Sequence, residues 1–461
     1  MIEKIRNWPA GTAVAGNGRG RCHLVMPGTG PASTPCGADG GGRRGRRLCG
    51  RHDAQQPVSA RHFCSKILVA CALGIVMIWP TIALCAGTAA SSSMRIGYLE
   101  LEDDPRYANR SAIGGIQFSD LGRPYEASQV ALEDARSIGR VIKTDFEMEK
   151  ATGRSAEDLA QRIDTWTESE NIHFVLTDLP ASTLVDLGRR LKDKPVLLLN
   201  VSAPDNTLRG ADCLPNVLHT YPSDAMLSDA LVQYLATKGW MQILVLEGPA
   251  PEDAASVASL QHSAKKFGAK IIDVKPFVLS RDPRNRTQSN VVLMTEGRYD
   301  VVYVADISGE FGRYVPYQTA LPRPVVGSAG LTPTAWSWSW DRDAAVQLQH
   351  RYEKLAPERR RMNGAGWAAW EAVKAITQAT VRTKSTDFEP IRTFLLSDKL
   401  TLDTVKGNPG GFRPWDHQLR APVLLATADA VIARAPLPQF LHQTNVLDTL
   451  GIDAPESACR F

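Results

Sequence analysis

The 461-residue chain has a formal net charge of +4 at pH 7, but its positive charge is concentrated near the N-terminus. Residues 1–93 contain eleven basic and three acidic residues, which leaves about −4 for the other 368. A mildly acidic chain has no electrostatic basis for binding nucleic acid. A stretch of 368 residues is too long for one ordinary hydrophobic core and is long enough for two lobes.

The first sixty residues contain twelve glycines and arginine-rich runs such as GGRRGRR, with almost no apolar periodicity. One interpretation is an arginine-rich arm that binds nucleic acid. The other is translated upstream sequence, with the true start near Val58. We therefore expect residues 1–60 to be a non-native or disordered extension.

An apolar run from Ile67 to Leu84 follows the basic residues Arg61 and Lys66 and precedes a stretch of small residues. This order is typical of a secretory signal peptide, which we place at 61–93. The alternative is an uncleaved membrane anchor, because the run approaches the length needed to span a bilayer. Because an exported protein folds outside the cytoplasm, we expect this protein to be periplasmic.

Short apolar runs alternate with amphipathic stretches from Met94 onward, which predicts βαβ units and a parallel sheet. In chain order the predicted elements are strand MRIGYLEL, helices YEASQVALEDARSIG and GRSAEDLAQRIDTW, strand IHFVLTD, helix STLVDLGRRLKD and strand PVLLLNVS. Ser155, with Asp158 three residues later, predicts the start of the second helix.

The alternation begins again after YPSDAMLSDALVQYLATKGW, where Ser223 and Asp224 are candidate helix caps. The predicted elements are strand QILVLEG, helix DAASVASLQHSAKKFG, strands KIIDVKPF and DVVYVAD, helix GEFGRYVPYQTA and strand RPVVGSA. Two late helices and a β-rich tail close the chain. The predicted fold class is α/β, with two doubly wound parallel-sheet lobes joined by a hinge. We expect lobe one at 94–218 plus about 334–405, and lobe two at 219–333 plus about 406–461.

Ligands of open α/β sheets bind beyond the carboxyl ends of the strands. Two such edges that face each other across a hinge form a clamp. The loops at these edges are Glu100–Tyr107, Thr177–Thr183, Asn200–Asp205, Glu247–Asp253, Asp306–Glu310 and Ser328–Thr334.

Motifs of catalysis are absent from the sequence after residue 93. It contains no Gly-x-Ser-x-Gly, His-Glu-x-x-His, Cys-x-x-Cys or P-loop pattern, and its histidines lack ligand spacing. The acidic run from Glu100 to Asp104 suggests either a hard-cation site or a solvated rim, and we favour the rim. We therefore predict a binding protein, with no catalytic residue, metal or cofactor.

Several long segments resemble a known family. YPSDAMLSDALVQYLATKGW, AGWAAWEAVKAITQATVRT and GGFRPWDHQLRAPVLLA are similar to type I periplasmic substrate-binding proteins of ABC transporters, in the branched-chain amino acid receptor class. ADCLPNVLHT, VADISGEFGRYVPY, LPRPVVGSAGLTPTAWSWSW, FLHQTNVLDTLG and PESACRF resemble the branch associated with PQQ-dependent alcohol dehydrogenase systems. The resemblance implies a receptor that delivers a small ligand to an ABC permease, with a periplasmic quinoprotein dehydrogenase as a further candidate partner.

The resemblance also implies site residues. Lobe one of such receptors holds the ligand with hydroxyl and backbone groups, and the equivalent positions here are Thr177, Ser182, Thr183, Asn200 and Ser202. Lobe two offers Glu247, Asp306 and Ser328 at strand ends. The usual tyrosine positions look substituted, and LELEDDPRYANR replaces the usual glycine-rich turn. Both departures leave the identity of the ligand open.

Trp336, Trp338 and Trp340 recur at a period of two, as on one face of an extended segment. Trp336 is a candidate for stacking on a flat ligand, and packing between the lobes is the alternative. Of the eight cysteines, Cys213 and Cys459 lie after the expected signal. Two cysteines in an exported protein suggest one disulfide, and two free thiols are the alternative.

Three functions are compatible with these patterns. The first is the receptor that delivers a ligand to a permease. The second is a sensor or accessory module of a PQQ-dependent dehydrogenase system, without transport. The third, which we regard as weakest, is a hydrolase or other enzyme that acts on the dehydrogenase's product.

Overall fold

The computed structural model describes residues 92–108, 122–280 and 282–461. The chain divides into two compact units, 1–83 and 84–461, and every described residue belongs to the second. The expected extension at 1–60 and nearly all of the expected signal peptide at 61–93 lie outside the described residues. Within the described residues, no helix combines the length and the apolar character needed to cross a membrane.

The first lobe is built on a five-stranded parallel sheet with the order β2-β1-β3-β4-β5. Its strands and the helices between them are β1 (Ser92–Leu101), α1 (Tyr125–Ile142), β2 (Thr144–Gly153), α2 (Ala156–Ser169), β3 (Phe174–Asp178), α3 (Ala181–Arg190), β4 (Leu197–Asn200) and β5 (Val217–His219).

The second lobe is built on a four-stranded parallel sheet with the order β7-β6-β8-β9. Its elements are α4 (Asp224–Lys238), β6 (Gln242–Glu247), α5 (Pro251–Phe267), β7 (Lys270–Pro276), α6 (Arg286–Ser289), α7 (Val291–Met294), β8 (Val301–Ala305), α8 (Val315–Gln318) and β9 (Val325–Gly327). The two parallel sheets confirm the predicted fold class.

The chain then returns through both lobes. The remaining elements are β10 (Thr332–Thr334), α9 (Ala345–Leu355), α10 (Gly364–Thr383), α11 (Phe388–Leu395), β11 (Leu402–Asp403), β12 (Pro409–Gly410), β13 (Val423–Ala426) and β14 (Val431–Ala435). β10, β13 and β14 form an antiparallel sheet, and β11 pairs with β12.

Local sequence determines where two of the predicted helices begin. The Ser155 hydroxyl accepts a hydrogen bond from the Asp158 backbone N–H, and the Ser223 hydroxyl accepts one from the Met226 N–H. Both residues are therefore N-caps, as predicted. Gly97 on β1 allows α2 to pack closely, because a Cβ there would lie 2.6 Å from the Trp166 ring.

The helix predicted over GEFGRYVPYQTA is much shorter than expected. The chain forms a 3-10 turn at Gly312–Tyr314 and then the four-residue helix α8. The Asp306 carboxylate accepts the backbone N–H groups of Phe311 and Gly312 at the start of the turn. Pro316 lacks the N–H that a continuous helix would need, so the 3-10 turn and α8 stay short.

The lobes have separate apolar cores. In lobe one, α1, α9 and α10 cover one face of the sheet with Tyr352 and Trp367, and α2 covers the other with Trp166. In lobe two, α4 and α5 cover one face, and the stacked rings of Phe277 and Phe311 lie on the other, with centroids 4.1 Å apart.

The late segment 402–421 packs on the first lobe beyond the boundary expected near 405. Phe412 and Leu419 lie in the core of lobe one, and Gln418 forms a parallel bridge with His219 at the edge of the sheet. Val423 and Leu425 of β13 then lie in the core of lobe two. The chain thus crosses between the lobes at about 420–423, while the full set of lobe boundaries stays a prediction.

Candidate functional site

A charged loop follows β1 at the carboxyl edge of the first sheet. Asp104 caps the 3-10 turn Pro105–Tyr107 by accepting the Arg106 backbone N–H at 2.9 Å. The same carboxylate binds the Arg106 guanidinium, with Nε 3.0 Å from both oxygens and Nη2 2.6 Å from Oδ2. Because Asp104 is buried, the loop is fixed by its own ion pair.

Arg106 connects this loop to the ends of two neighbouring strands. Its Nη2 lies 3.1 Å from Asp178 Oδ1 at the end of β3, and its Nη1 donates to Ser202 Oγ beyond β4 at 2.9 Å. The Tyr107 hydroxyl also donates to Asp178 Oδ1, at 2.9 Å. The side chain of Arg106 remains 27% exposed, so the cluster presents part of a guanidinium to solvent at the strand ends.

Two further cations lie behind this cluster. Arg123 donates to the Leu101 carbonyl at 2.7 Å, and its Nη1 lies 3.7 Å from both Glu100 and Asp178. Lys150 Nζ lies 2.8 Å from Glu100 Oε1. The edge of lobe one thus pairs three cations with three buried carboxylates, those of Glu100, Asp104 and Asp178. This balance of charge makes the edge a preassembled polar surface.

Burial and the neighbouring ions act in opposite directions on this cluster. Burial raises the pKa of Asp178, while Arg106 and the hydrogen bonds from Ser202 and Tyr107 oppose that increase. Burial and the Asp178 charge raise the pKa of the Tyr107 hydroxyl. Burial alone would lower the pKa of Arg106, but the carboxylates of Asp104 and Asp178 raise it overall. Tyr107 and Arg106 therefore stay protonated at neutral pH.

Three residues predicted to bind ligand already have partners in lobe one. Thr177 is buried and donates to the Leu199 carbonyl at 3.2 Å. Asn200 Nδ2 donates to the Ala203 carbonyl at 2.8 Å, and Asn200 Oδ1 accepts the Ala203 N–H at 2.9 Å. Ser202 accepts from Arg106. These side chains shape the strand ends on which the charged loop lies.

Ser182 and Thr183 lie in the first turn of α3, directly beyond the end of β3. Ser182 is exposed and Thr183 is half-buried. No side chain caps α3, so the backbone N–H groups of its first turn add donors to this surface.

The edge of lobe two is arranged differently. Asp306, at the end of β8, is buried and accepts from Ser308 Oγ at 2.5 Å and from the backbone N–H groups of Gly309, Phe311 and Gly312 at 2.7–3.1 Å. Ser328 Oγ accepts the Asp306 N–H and donates to the Val304 carbonyl, both at 3.0 Å. The two predicted site residues thus hold the loop backbone.

Glu247 lies at the end of β6 and is half-buried. Its backbone carbonyl accepts from Phe277 N–H, but its carboxylate makes no hydrogen bond or ion pair to any other described residue. Of the acidic residues predicted for lobe two, Glu247 is the one whose carboxylate remains available to a ligand.

The tryptophan-rich segment packs in the protein. Trp336 is buried in the core of lobe one, and its Nε1 donates to Gln349 at 3.2 Å. Trp340 is also in that core, and its Nε1 donates to the Val405 carbonyl. Trp338 donates to the Ala428 carbonyl and packs under the Arg361 guanidinium, 3.3 Å from its ring centroid. The segment matches the packing alternative.

The sequence interpretation missed Arg106, Tyr107, Arg123 and Lys150. The DDPRY segment contained a usable signal, because an aspartate before Pro-Arg predicts a capped turn that brings the arginine back to that carboxylate. The partners Asp178 and Glu100 are distant in sequence, and only the parallel pairing of β1 with β3 brings them together.

The acidic run Glu100–Asp104 does not form a metal site in the described chain. Glu100 pairs with Lys150 and Asp104 with Arg106, whereas Glu102 and Asp103 are exposed. Within the described ranges, no group of three histidine, cysteine or acidic residues has the geometry to hold a metal ion.

The predicted disulfide is present. Cys213 and Cys459 are bonded with a Cα–Cα distance of 5.7 Å, across a sequence separation of 246 residues. The bridge confirms the pairing expected from the cysteine count.

Comparison with known proteins agrees with this architecture. A family profile described as periplasmic binding protein matches residues 117–285. No match was found among curated proteins. A branched-chain amino acid ABC transporter periplasmic ligand-binding protein from Burkholderia xenovorans LB400 superimposes with a TM-score of 0.61 at 14% identity, over 79% of this chain and 99% of that one. The chain has the type I periplasmic binding protein fold.

Two further structures of this fold extend the comparison. The leucine-, isoleucine-, valine-, threonine- and alanine-binding protein from Brucella ovis, in a closed conformation, gives a TM-score of 0.57 at 14% identity, over 72% of this chain and 89% of that one. An ABC transporter solute-binding protein from R. palustris in complex with benzoate gives 0.55 at 12% identity, over 80% of this chain and 100% of that one. At these identities the likeness establishes the fold alone.

Proposed function

We propose that the protein is a periplasmic solute-binding receptor that delivers a small ligand to an ABC-type permease. The observation that carries the proposal is the pair of polar strand-end surfaces, one on each lobe of a type I periplasmic binding protein fold. Carboxyl ends of parallel strands are where open α/β sheets bind ligands. The matched family profile and the solved neighbours, all described as binding proteins, support the same function.

The proposed ligand contacts come from both edges. On lobe one they are the exposed part of Arg106, the hydroxyls of Ser182 and Thr183, and the uncapped first turn of α3. On lobe two, Glu247 offers a carboxylate. A ligand that touches both edges stabilises the closed arrangement through contacts it makes only there, and no bond is made or broken.

The proposed ligand is a small organic molecule. One solved neighbour is in complex with benzoate, and another is described as binding leucine, isoleucine, valine, threonine and alanine. The resemblance to the branch associated with PQQ-dependent alcohol dehydrogenases adds alcohol-derived compounds and PQQ itself. The paired charges of Arg106, Arg123 and Lys150 with Glu100, Asp104 and Asp178 balance one another, so neutral ligands belong in the same panel.

The test is a thermal-shift screen of the purified protein against alcohols, aldehydes, carboxylates, amino acids and PQQ. A ligand at one hundred times its dissociation constant stabilises the folded state by roughly 2.7 kcal/mol. We expect at least one class to raise Tm, and Arg106→Met to reduce that increase. The matched control is Arg154→Met, which breaks an exposed ion pair with Glu102. Turnover of a stabilising compound, or no shift across the panel, would contradict the receptor.

Export is tested separately. Amino-terminal sequencing of protein recovered from the periplasm should give a start between about residues 86 and 94. Recovery only from the cytoplasm, with an intact N-terminus, would contradict the periplasmic assignment.

A further inference from the structure

The C-terminal segment 437–461 contacts both lobes, and we call it the C-terminal strap. Its first part lies on lobe two. The Leu437 N–H donates to Gln233 Oε1 of α4 at 3.1 Å, and Gln233 Nε2 donates to Thr449 Oγ1 at 3.3 Å. The Phe440 ring meets Phe267 of α5 edge-on, with centroids 5.4 Å apart.

An ion pair of lobe two, between Lys266 and the buried Asp229, fixes the middle of the strap. Lys266 Nζ, at the end of α5, donates to the carbonyls of Thr449 and Gly451, both at 2.9 Å. It also pairs with Asp229 of α4 at 2.8 Å, and Asp229 Oδ2 accepts the Gly451 N–H at 2.8 Å. Gly451 has φ +85°, and a Cβ there would lie 2.8 Å from Met226. The strap therefore needs glycine at this turn.

The same turn is bound from the other side by the segment that packs on lobe one. Arg413 Nη2 donates to the Leu450 carbonyl at 2.7 Å, and its Nε lies 3.0 Å from Asp448 Oδ1. Arg420 Nε reaches the same Asp448 oxygen at 2.8 Å. Arg413 and Asp448 are buried, so this pair is shielded from solvent and salt.

The end of the strap is fixed on lobe one. Cys459 is bonded to Cys213, which lies in the loop between β4 and β5. The ring of the last residue, Phe461, stacks on His417 with centroids 3.8 Å apart. His417 Nδ1 contacts the carbonyl of Val217 in β5.

We propose that the C-terminal strap is a lock that limits how far the two lobes separate, and that the Cys213–Cys459 bond keeps it closed. Residues 447–451 hold Lys266 of lobe two and Arg413 of the lobe-one segment through adjacent backbone carbonyls. Cys459 lies eight positions after Gly451, and the stretch between them spans at most about 29 Å when extended. Wider separation would break either a buried ion pair or the covalent bond.

The lock makes the range of lobe motion depend on redox state. With the disulfide intact, lobes that have broken the contacts of the turn at 447–451 still separate only as far as the stretch between Gly451 and Cys459 extends. Reduction releases the end of the strap, and only non-covalent contacts then oppose wider opening. The inference does not depend on the identity of the ligand, because every contact in it lies within the chain.

The test measures the distance between the lobes directly. Spin labels on genetically encoded non-cysteine residues at the exposed positions Asp103 and Glu252 report one strand-end loop of each lobe. We expect a narrow distance distribution in the oxidised protein and one at least twofold broader, extending to longer distances, in Cys459→Ser. Asp448→Asn with the disulfide intact should broaden it less, and the double variant should broaden it most.

The test includes a control variant and a comparison of the oxidised with the reduced wild-type protein. Lys194→Met, which removes an exposed ion pair with Asp164, is the matched control and should leave the distribution unchanged. If Cys459→Ser fails to fold, reduction of the folded wild-type protein replaces it. Equal distributions in the oxidised and reduced protein would overturn the lock. Global unfolding on reduction would also overturn the lock, because the disulfide would then stabilise the whole fold and not specifically limit lobe separation.

Discussion

The two lobes use carboxylates at their strand ends in opposite ways. In lobe one, Asp104 and Asp178 are bound by side chains, chiefly the guanidinium of Arg106. In lobe two, Asp306 is bound by three backbone N–H groups and the neighbouring Ser308 hydroxyl. Each lobe thus contains a buried carboxylate near a strand end. Lobe one satisfies it chiefly with side-chain donors, and lobe two chiefly with backbone N–H groups.

The two kinds of carboxylate look alike in sequence but have different roles. A carboxylate that holds backbone groups defines the path of a loop and leaves no donor for a ligand. A carboxylate that holds an arginine orients a cation whose other face reaches solvent. Lobe one therefore offers a charged side chain at its edge, while lobe two offers mainly a shaped backbone and the carboxylate of Glu247.

Removal of the Asp306 carboxylate should give the largest effect. In Asp306→Ala, the buried backbone N–H groups of Phe311 and Gly312 lose their acceptor, as do a part-buried N–H and a part-buried hydroxyl. Buried donors without acceptors each cost about 1–3 kcal/mol, and their costs are not additive. We expect the free energy of unfolding to fall by about 4 kcal/mol, measured by urea denaturation.

Asp193→Ala is the matched control for that variant, because Asp193 is exposed and its side chain makes no hydrogen bond or ion pair to other described residues. Its effect should stay within about 0.5 kcal/mol. A loss at Asp306 no larger than that of the control would show that the loop does not need the carboxylate.

Replacement of Arg106 should have the next largest effect. Arg106→Met leaves Asp104 and Asp178 buried without their main cation. Loss of one partner of a fully buried pair costs about 3–5 kcal/mol. Because Arg106 is partly exposed, we expect about 2–3 kcal/mol from urea denaturation at pH 7.

The pH dependence of this loss distinguishes the ion pair from simple packing. Burial already raises the pKa of Asp178, and removal of Arg106 raises it further. A carboxyl with a raised folded-state pKa is favoured when protonated, so the difference between wild type and variant should shrink as pH falls from 7 to 4. A difference independent of pH would indicate lost packing of the arginine stem instead.

The sequence predicted the fold well because its signals are local and repeated. Alternating apolar runs and amphipathic stretches gave the four strands of the second sheet and β1, β3 and β4 of the first, and Ser155 and Ser223 marked helix starts. Strands β2 and β5 were not predicted, and one predicted helix was too long. The apolar pattern of GEFGRYVPYQTA is helical, but Pro316 within it interrupts the backbone hydrogen bonds of a continuous helix.

The candidate site was less predictable, because its pairs join distant strands. The end of β3 was identified, but Arg106 on the loop after β1 was not assigned to it. A hydroxyl at a strand end looks the same in sequence whether it faces a ligand or an arginine, as Ser202 shows. The burial of Trp336 could not be predicted either, because a period of two fits both an exposed extended segment and a buried turn.

A smaller effect is expected for Ser202. Ser202→Ala removes the acceptor of Arg106 Nη1 while the two carboxylates keep the guanidinium in place. We expect a loss of about 1 kcal/mol in the free energy of unfolding. Ser182→Ala, on the exposed first turn of α3, should change it by less than about 0.5 kcal/mol. Equal losses in the two variants would show that the Ser202 hydroxyl does not stabilise the charged loop.

The smallest effect on stability is expected for Glu247→Gln. The side chain keeps its shape, and the carboxylate has no partner among the described residues to lose, so the free energy of unfolding should change by less than about 0.5 kcal/mol. Ligand binding should respond more strongly, because a carboxylate at the edge of lobe two interacts with donor groups more tightly than an amide does. The measurement is the ligand-induced rise in Tm, which should fall in the variant at equal ligand concentration. An unchanged rise would remove Glu247 from the contact surface and leave lobe two to act through its backbone alone.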